Sequence, residues 1–557
     1  MSSKPSSLVP IIIIILSLTT VIHHHLVSAI QLSTSSRWIV NDDDGERVKL
    51  ACVNWVSHLD AVIAEGLSKQ PVDVISKKIL EMGFNCVRLT YPLFLFTNRT
   101  LGAVTVRESF LRLGLIDSIH GFEANNPLII DLPLIKAFQE VVASLDRNNV
   151  MIVLDNQISK PGWCCSDSDG NGFFGDQYFD PDVWLYGLAK VATMFSSSAN
   201  VVGMSLRNEL RGPKENVSLW YRYMQKGAEV VHAANPNVLV ILSGLSYDKD
   251  LSFLQIQPIA LTFGNKLVFE VHWYGFSNEE DWKTNNTNQV CAQVVDTIMN
   301  RAGFLLDEDY PLFISEWGID QRGTNDFETR YLNCFSAWAA DHDLDWALWT
   351  LAGSYYFRQG VVEMDETYGL LTLDWSEPRN SSFLQKISPI QSPFQGPGLS
   401  KNRPHKMIFH PATGFCVQRQ SFSKELTLGP CSGGESWDYT SRNAITIKGT
   451  CYCLQADGVE KKAKLGTTCT DRSSQWEEIS ASKLHLSSKI NNGTVVCLDI
   501  DSGNTIITNT CKCLAGDSMC DPASQWFKII NTTTESRAGT YGWMNWIMQS
   551  LGAYLLG

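Results

Sequence analysis

From about residue 30 to 392 the chain alternates two patterns. Short apolar runs are followed by longer stretches whose apolar residues recur at helical spacing. The runs include "NCVRLTY", "VMIVLDNQ", "VVGMSLRNE", "NVLVILSG", "KLVFEVHWY", "PLFISEWG" and "LDWALWTL". Between them lie segments such as "DVISKKILEMG" and "PLIKAFQEVVASLDRNN", the latter with Leu134, Phe138, Val141, Val142 and Leu145 on one helical face. Repeated strand–helix units of this length predict an α/β fold with a parallel sheet, either open or closed into an eight-stranded barrel. The closed form is favoured because polar residues fall at the C-terminal ends of the runs: Arg88, Asp155, Asn208 with Glu209, His272 with Tyr274, Glu316, and Trp349. A barrel gathers all strand ends on one face, whereas an open sheet brings only a few together at its switch point.

Around residues 393–404, "PFQGPGLSKNRP" reads as a linker. Beyond it the helical periodicity stops and Cys becomes dense: nine of the 15 Cys lie after residue 405. The region repeats itself. Cys416 and Cys431, Cys453 and Cys469, and Cys497 and Cys511 are spaced 15, 16 and 14 residues apart, each pair followed by a Trp (Trp437, Trp476, Trp526). Three units of about 40 residues predict a threefold architecture. One disulfide closing a loop in each unit would contribute roughly 3 kcal/mol by chain entropy. Cys451, Cys513 and Cys520 fall outside the pattern, and the odd total leaves at least one Cys free or paired between chains.

The length of 557 residues calls for two or more domains. Residues 1–29 have the form of a secretory signal peptide: Lys4, an apolar core "VPIIIIILSLTTVI", and small residues ending at Ala29. An uncleaved anchor is the alternative, but His23–His25 leave the apolar run short for a membrane span. Sequons at Asn98, Asn216, Asn285, Asn380, Asn492 and Asn531, with the Cys content, fit an exported glycoprotein of the cell wall, extracellular space or vacuole. The net charge of −13 argues against a nucleic-acid partner. The apolar tail at 536–557, with Trp543, Ile547, Leu551 and Tyr554 as a helical stripe, is read as packing back on the protein. A lipid-anchor signal is the other reading; Asn545, Gln549 and the lack of a polar spacer count against it, and no stable membrane insertion is expected.

Glu209 and Glu316 stand at two strand ends, 107 residues apart. A matched carboxylate pair at one barrel mouth is what cleavage of a glycosidic bond needs: one group protonated for the leaving alcohol, the other charged for attack or for activating water. Trp317, Trp273, Tyr274 and Trp349 are candidates to stack on sugar faces or lower the local dielectric. His272 can hydrogen-bond one carboxylate, and Arg88 can keep the other ionised. The reaction requires no metal or organic cofactor.

The ordered set "VRLTYP", "SLRNEL", "VHWYG", "ISEWG" and "ALWTLAGSYY" resembles glycoside hydrolase family 5, the cellulase and mannanase family of clan A, and "DNQISKPGWCC" resembles a plant branch of it. The resemblance covers about residues 35–390. It implies a (β/α)8 TIM barrel over 30–392 and a retaining double displacement on an oligo- or polysaccharide. It also implies Glu209 as acid/base, Glu316 as nucleophile and Asn208 on the sugar 2-hydroxyl. Arg88 and Tyr274 would support the nucleophile, His272 the acid/base, and Trp349 would floor the sugar subsite. Where many members carry His after the third strand's Asp, this chain has Asn156 and Gln157, so Gln157 becomes a candidate substrate contact; Leu210 replaces a common Pro. The Cys-rich units resemble a ricin-B-type all-β trefoil over 405–535. Its Q-x-W signature is degraded, with Glu435, Ser474 and Ser524 in the Gln position. Asp499 matches the position that binds sugar in lectin repeats, and Gln418 and Gln455 replace it elsewhere, so a second sugar site would lie in the third repeat.

Each feature has a plainer reading. Glu316 alone could be a salt-bridged residue and His272 a core His; "GWCCSDSDGNGFFGD" lacks the spacing of an EF-hand and reads as a disulfide-tied loop. The expectation is a secreted β-glycosidase of a cell-wall glucan or mannan. The alternatives are a glycosidase of small secondary-metabolite glycosides and a carbohydrate-binding protein without turnover.

Overall fold

The computed structural model describes residues 30–399, 404–420, 425–516, 518 and 520–533. The segments read as signal peptide and apolar tail lie outside the described residues.

Eight parallel strands close into a barrel: β1 (Ala51–Trp55), β2 (Cys86–Pro92), β3 (Met151–Ile158), β4 (Val201–Ser205), β5 (Leu239–Leu242), β6 (Leu267–His272), β7 (Leu312–Trp317) and β8 (Asp345–Leu348). Closure is made by β8 pairing with β1, Trp346 opposite Ala51. The expected (β/α)8 barrel is therefore present, and its first strand is one the apolar runs above did not include. Strand alternation divides the core in two. Cys52, Cys86, Val153, Ile241, Val268, Phe313 and Ala347 fill the barrel interior, while their neighbours Val53, Val87, Leu154, Leu242 and Ile314 face the helices. The hairpin Leu32–Ser35 and Trp38–Asn41 contributes Leu32 and Ile39 to the interior cluster and so plugs the barrel floor.

The outer helices form where the periodicity places them. Leu134–Arg147 buries Leu134, Phe138, Val141, Val142 and Leu145 against the barrel. Pro181–Met194 starts with Pro at its first turn, while the Asp180 carboxylate accepts from the backbone N–H groups of Asp182 and Val183.

The C-terminal region is all β, built from two antiparallel sheets around a core that includes Trp437, Trp476, Leu498 and Phe527. Disulfides join Cys416 to Cys431, Cys453 to Cys469, and Cys497 to Cys511, the pairing the spacing predicts; Cys513 pairs with Cys520 and Cys451 is free. The repeats are not equivalent. Trp437 and Trp476 donate their indole N–H to Val417 O and Leu454 O, one residue after the first Cys of their own repeats. Trp526 instead donates to Asn288 Oδ1, 2.9 Å away on the barrel helix Thr287–Ile298. Asn288 Nδ2 in turn donates to Cys513 O at 2.9 Å, and Met407, Phe409, Leu484 and Ile530 join the barrel's own apolar cluster. The stretch read as a linker is packed as well: the N–H groups of Phe394 and Gln395 donate to Asp343 Oδ2 at 3.0 and 2.9 Å.

Candidate active site

A cleft of about 530 Å³ opens at the C-terminal ends of the strands. Glu316 is the penultimate residue of β7 and Glu209 follows β4. One oxygen of each carboxylate and a ring nitrogen of His272 lie within 4.8 Å of one another. Glu209 sits at φ +43°, in the left-handed region that is unfavourable for a residue with a Cβ. Its conformation is held by Arg211 Nη1 donating to Glu209 O at 2.7 Å and by Asn208 N–H donating to Asn156 O at 3.1 Å.

Glu316 is enclosed by donors. Arg88 Nη1 lies 3.0 Å and Gln157 Nε2 3.2 Å from Oε1, and Tyr274 OH donates to Oε2 at 3.0 Å. Burial pushes this carboxyl up, but the charges of His272 and Arg88 and the hydrogen bonds from Gln157 and Tyr274 outweigh it and hold the group below its ordinary range. The Tyr274 phenol is itself pushed well above its usual value by burial and by both carboxylates, so it stays a donor. His272 Nδ1 is 2.9 Å from Glu209 Oε1 and 3.6 Å from Glu316 Oε2, and its Nε2 is 3.5 Å from Asp248 Oδ2. Burial lowers its affinity for a proton, but Glu316, Glu209 and Asp248 raise it further, to a pKa of about 9.

Beneath these groups Arg88 is fully buried. It pairs with Asp155 at 3.0 Å and donates to Asn54 Oδ1 and Asn208 Oδ1, each at 2.9 Å. Burial, Glu270 and Glu316 together push Asp155 up to about 7 against the pull of Arg88.

The structure brings Arg88, Gln157, Asn208, Glu209, His272, Tyr274, Glu316 and Trp349 to this one mouth, with Arg88 and Asn208 behind the cleft wall. Asp499 lies apart in the all-β region, 1% exposed, its Oδ2 accepting from Gln525 Nε2 at 2.9 Å. Trp273 and Trp317 are not sugar platforms. Both are buried in the barrel–helix layer, Trp317 stacked on Phe335 at 4.2 Å and Trp273 edge-on to Tyr331 and Trp338. Trp273, just past β6, faces out because His272 faces in. On β7 an extra residue between Ile314 and Glu316 shifts the register against both neighbouring strands, which turns Glu316 inward and leaves Trp317 facing out. The aromatic lining comes instead from Trp163, Tyr247, Phe276 and Tyr368, together with Tyr274 and Trp349.

His58, from the loop after β1, also lines the cleft. Its Nδ1 is 2.8 Å from Thr90 Oγ1, and burial lowers its pKa to about 3, so the ring is neutral. The Asp-rich loop has its carboxylates engaged within the protein. Asp169 pairs with Arg211, Asp176 with Lys214 at 3.2 Å, and Asp167 accepts from Tyr247 OH at 2.6 Å. Among the described residues, two groups have ligand atoms close enough for a metal ion: Glu209 with His272 and Glu316, and Glu209 with Cys164 and Cys165. The first set is already engaged with Arg88, Gln157, Tyr274 and its own imidazole, and the two Cys are joined to each other.

A barrel mouth with a charged carboxylate, a second carboxylate and a shared imidazole is the arrangement of a glycoside-cleaving enzyme. The profile of the family described as cellulase (glycosyl hydrolase family 5) matches residues 65–354. A glycosyl hydrolase 5 family protein of Chamaecyparis obtusa is 43% identical over 526 residues, 91% of this chain and 94% of that protein. Among solved structures, an endocellulase from the archaeon Pyrococcus horikoshii is similar in fold, with a TM-score of 0.53 and 16% identity over 66% of this chain and 99% of its own. The catalytic domain of the major endoglucanase of Xanthomonas campestris pv. campestris is also similar, with a TM-score of 0.51 and 18% identity over 64% of this chain and 98% of its own. The chain belongs to glycoside hydrolase family 5, and its class of reaction is glycoside hydrolysis.

Proposed function

We propose that the protein is a secreted, retaining β-glycosidase of a cell-wall β-linked glucan or mannan, with Glu316 as nucleophile and Glu209 as acid/base. The observation that carries the reading is the short gap between the two carboxylates, 4.8 Å or less between their nearest oxygens. Carboxyl groups about 5–5.5 Å apart allow direct attack on the sugar, whereas a gap of about 6.5–9.5 Å leaves room for an attacking water.

In the first step a Glu316 oxygen bonds to the anomeric carbon as the glycosidic C–O bond breaks. The leaving oxygen takes its proton from the Glu209 carboxyl, which His272 Nδ1 orients from 2.9 Å. In the second step Glu209 removes a proton from water, the water oxygen bonds to the same carbon, and the ester to Glu316 breaks. Arg88, Gln157 and Tyr274 supply the donors that keep Glu316 charged between turnovers. Trp349 is assigned to the sugar face. Asn208, expected on the sugar 2-hydroxyl, is fully buried with Oδ1 on Arg88 and Nδ2 against the Cys164 and Cys165 sulfurs, and is assigned to positioning Arg88.

Related endocellulase structures include a complex with cellotetraose, which makes a cellulose-type glucan the first substrate to try. We assign residues 1–29 to an export signal, the sequons to glycosylation, and the all-β region to a ricin-B-like trefoil whose third repeat, with Asp499, is the candidate second sugar site. Rates for wild type and Glu316→Ala on soluble glucans, mannans and aryl β-glycosides test the assignment. Loss of turnover in a folded variant supports it; an unchanged rate would sink it.

A further inference from the structure

The cleft wall beside Glu209 is built from residues the mechanism has not used. Trp163 and the adjacent Cys164 and Cys165 line it, and the two Cys are joined to each other as a disulfide. Asn208 Nδ2 lies 3.9 Å from Cys164 Sγ and 3.7 Å from Cys165 Sγ, so the sulfurs cover a fully buried amide. Both sulfurs and a Glu209 carboxylate oxygen fall within 4.8 Å of one another. Trp163 continues the wall. Its ring meets Trp349 and Tyr355 edge-on, and the Arg358 guanidinium, paired with Glu366 at 2.9 Å, lies 3.3 Å over it.

The oxygen that takes the Glu209 proton must come within about 3 Å of that carboxylate. Whatever is attached to the oxygen therefore lies against the groups that flank Glu209. Sulfur is apolar and polarizable and makes favourable contacts with ring faces. Joined to each other, the two sulfurs cannot rotate away or present an S–H.

We propose that the Cys164–Cys165 disulfide, with Trp163, is the wall of the leaving-group subsite and selects leaving groups with a flat apolar face, an aromatic ring or the apolar face of a pyranose. The proposal rests on Glu209 as acid/base. It makes a claim that a general structural role does not: the wall serves the step in which the leaving group is present and not the step in which water has replaced it.

The test compares wild type with the Cys164→Ser/Cys165→Ser double variant and with Trp163→Ala, using para-nitrophenyl β-cellobioside and cellotetraose. The value of kcat/KM reports the first step, and kcat on the activated aryl glycoside reports the second. Loss of a modest apolar contact predicts a fall in kcat/KM of about tenfold or more with kcat on the aryl substrate unchanged. Transfer of the glycosyl group to added glucose, which enters the same subsite, should fall in parallel. An equal fall in both parameters would mean that the sulfurs act through Asn208 and would overturn the proposal, as would an unchanged kcat/KM. Thermal unfolding checks that the double variant folds, and Trp163→Ala carries the same comparison if it does not. If wild type turns over neither probe, a cellulose-type substrate is ruled out, and the glycosidase reading fails only if the panel of glucans, mannans and aryl β-glycosides is silent too. Calorimetric binding of para-nitrophenyl β-cellobioside then decides the wall: weaker binding by the variants supports it, and equal binding refutes it.

Discussion

Replacing Tyr274 by Phe removes one hydroxyl and leaves the ring. That hydroxyl donates to Glu316 Oε2 at 3.0 Å, and the two side chains are buried together, with 8% and 5% of their residues exposed. A hydrogen bond to a charged acceptor contributes about 1.5–3 kcal/mol. At 1.36 kcal/mol per pKa unit, its loss should raise the Glu316 pKa by about 1–2 units, with Arg88 and Gln157 still in place. The sign follows from linkage. Glu316 is held low in the folded protein, so its stabilisation is present above the carboxyl's unfolded pKa and is lost as pH falls through the folded value. Removing a donor moves that loss to higher pH. The acidic limb of kcat/KM on an aryl β-glycoside should therefore shift upward by about 1–2 units in Tyr274→Phe. The stability gap between variant and wild type, measured by urea unfolding, should be largest near neutral pH and shrink in acid, where Glu316 is protonated in both. An acidic limb that does not move, or a gap independent of pH, would refute the reasoning.

Three further outcomes are expected. Glu209→Ala should slow cleavage of sugar leaving groups by about 10²–10⁴-fold and activated aryl groups far less, with added azide restoring part of the aryl rate. Asn288→Ala strands the Trp526 indole N–H, 2.9 Å away, and removes the acceptor of Ser482 Oγ at 2.6 Å, while Cys513 O keeps Asn286 Nδ2 at 3.0 Å, so urea unfolding should show a loss of about 1–3 kcal/mol with kcat unchanged in the folded fraction. Lys49→Met breaks a buried pair with Asp343, 2.5 Å apart at the barrel floor, and should cost about 3–5 kcal/mol by the same assay, because Asp343 is left charged and buried.

Most of the barrel was legible because six of the seven apolar runs carry a residue with chemistry at or near their ends, and a closed barrel brings such ends together. The strand Ala51–Trp55 escaped because it is short and carries Asn54; with it went His58, on the loop it leads into. The cleft lining contributed by Trp163, Tyr247, Lys249 and Glu366 lies on connecting loops, and Arg358 on the two-residue strand Phe357–Arg358, where no periodicity ties a residue to a face. Trp317 and Trp273 misled for the opposite reason. Their adjacency to Glu316 and His272 suggested a shared site, whereas adjacency on a strand puts neighbours on opposite faces. The Cys spacing carried the three loop disulfides, but nothing in the repeat shows that Trp526 leaves its own repeat for Asn288, because that contact depends on how the two regions pack.

The central claim is direct attack by Glu316 on the sugar. Proton NMR of the first product released from para-nitrophenyl β-cellobioside, or from whichever β-glycoside the panel shows to be cleaved, tests it most directly. Direct attack followed by hydrolysis predicts that the β-anomer appears first with wild type and that no product appears with Glu316→Ala. An α-anomer appearing first would contradict it, since that outcome requires a water between the carboxylates.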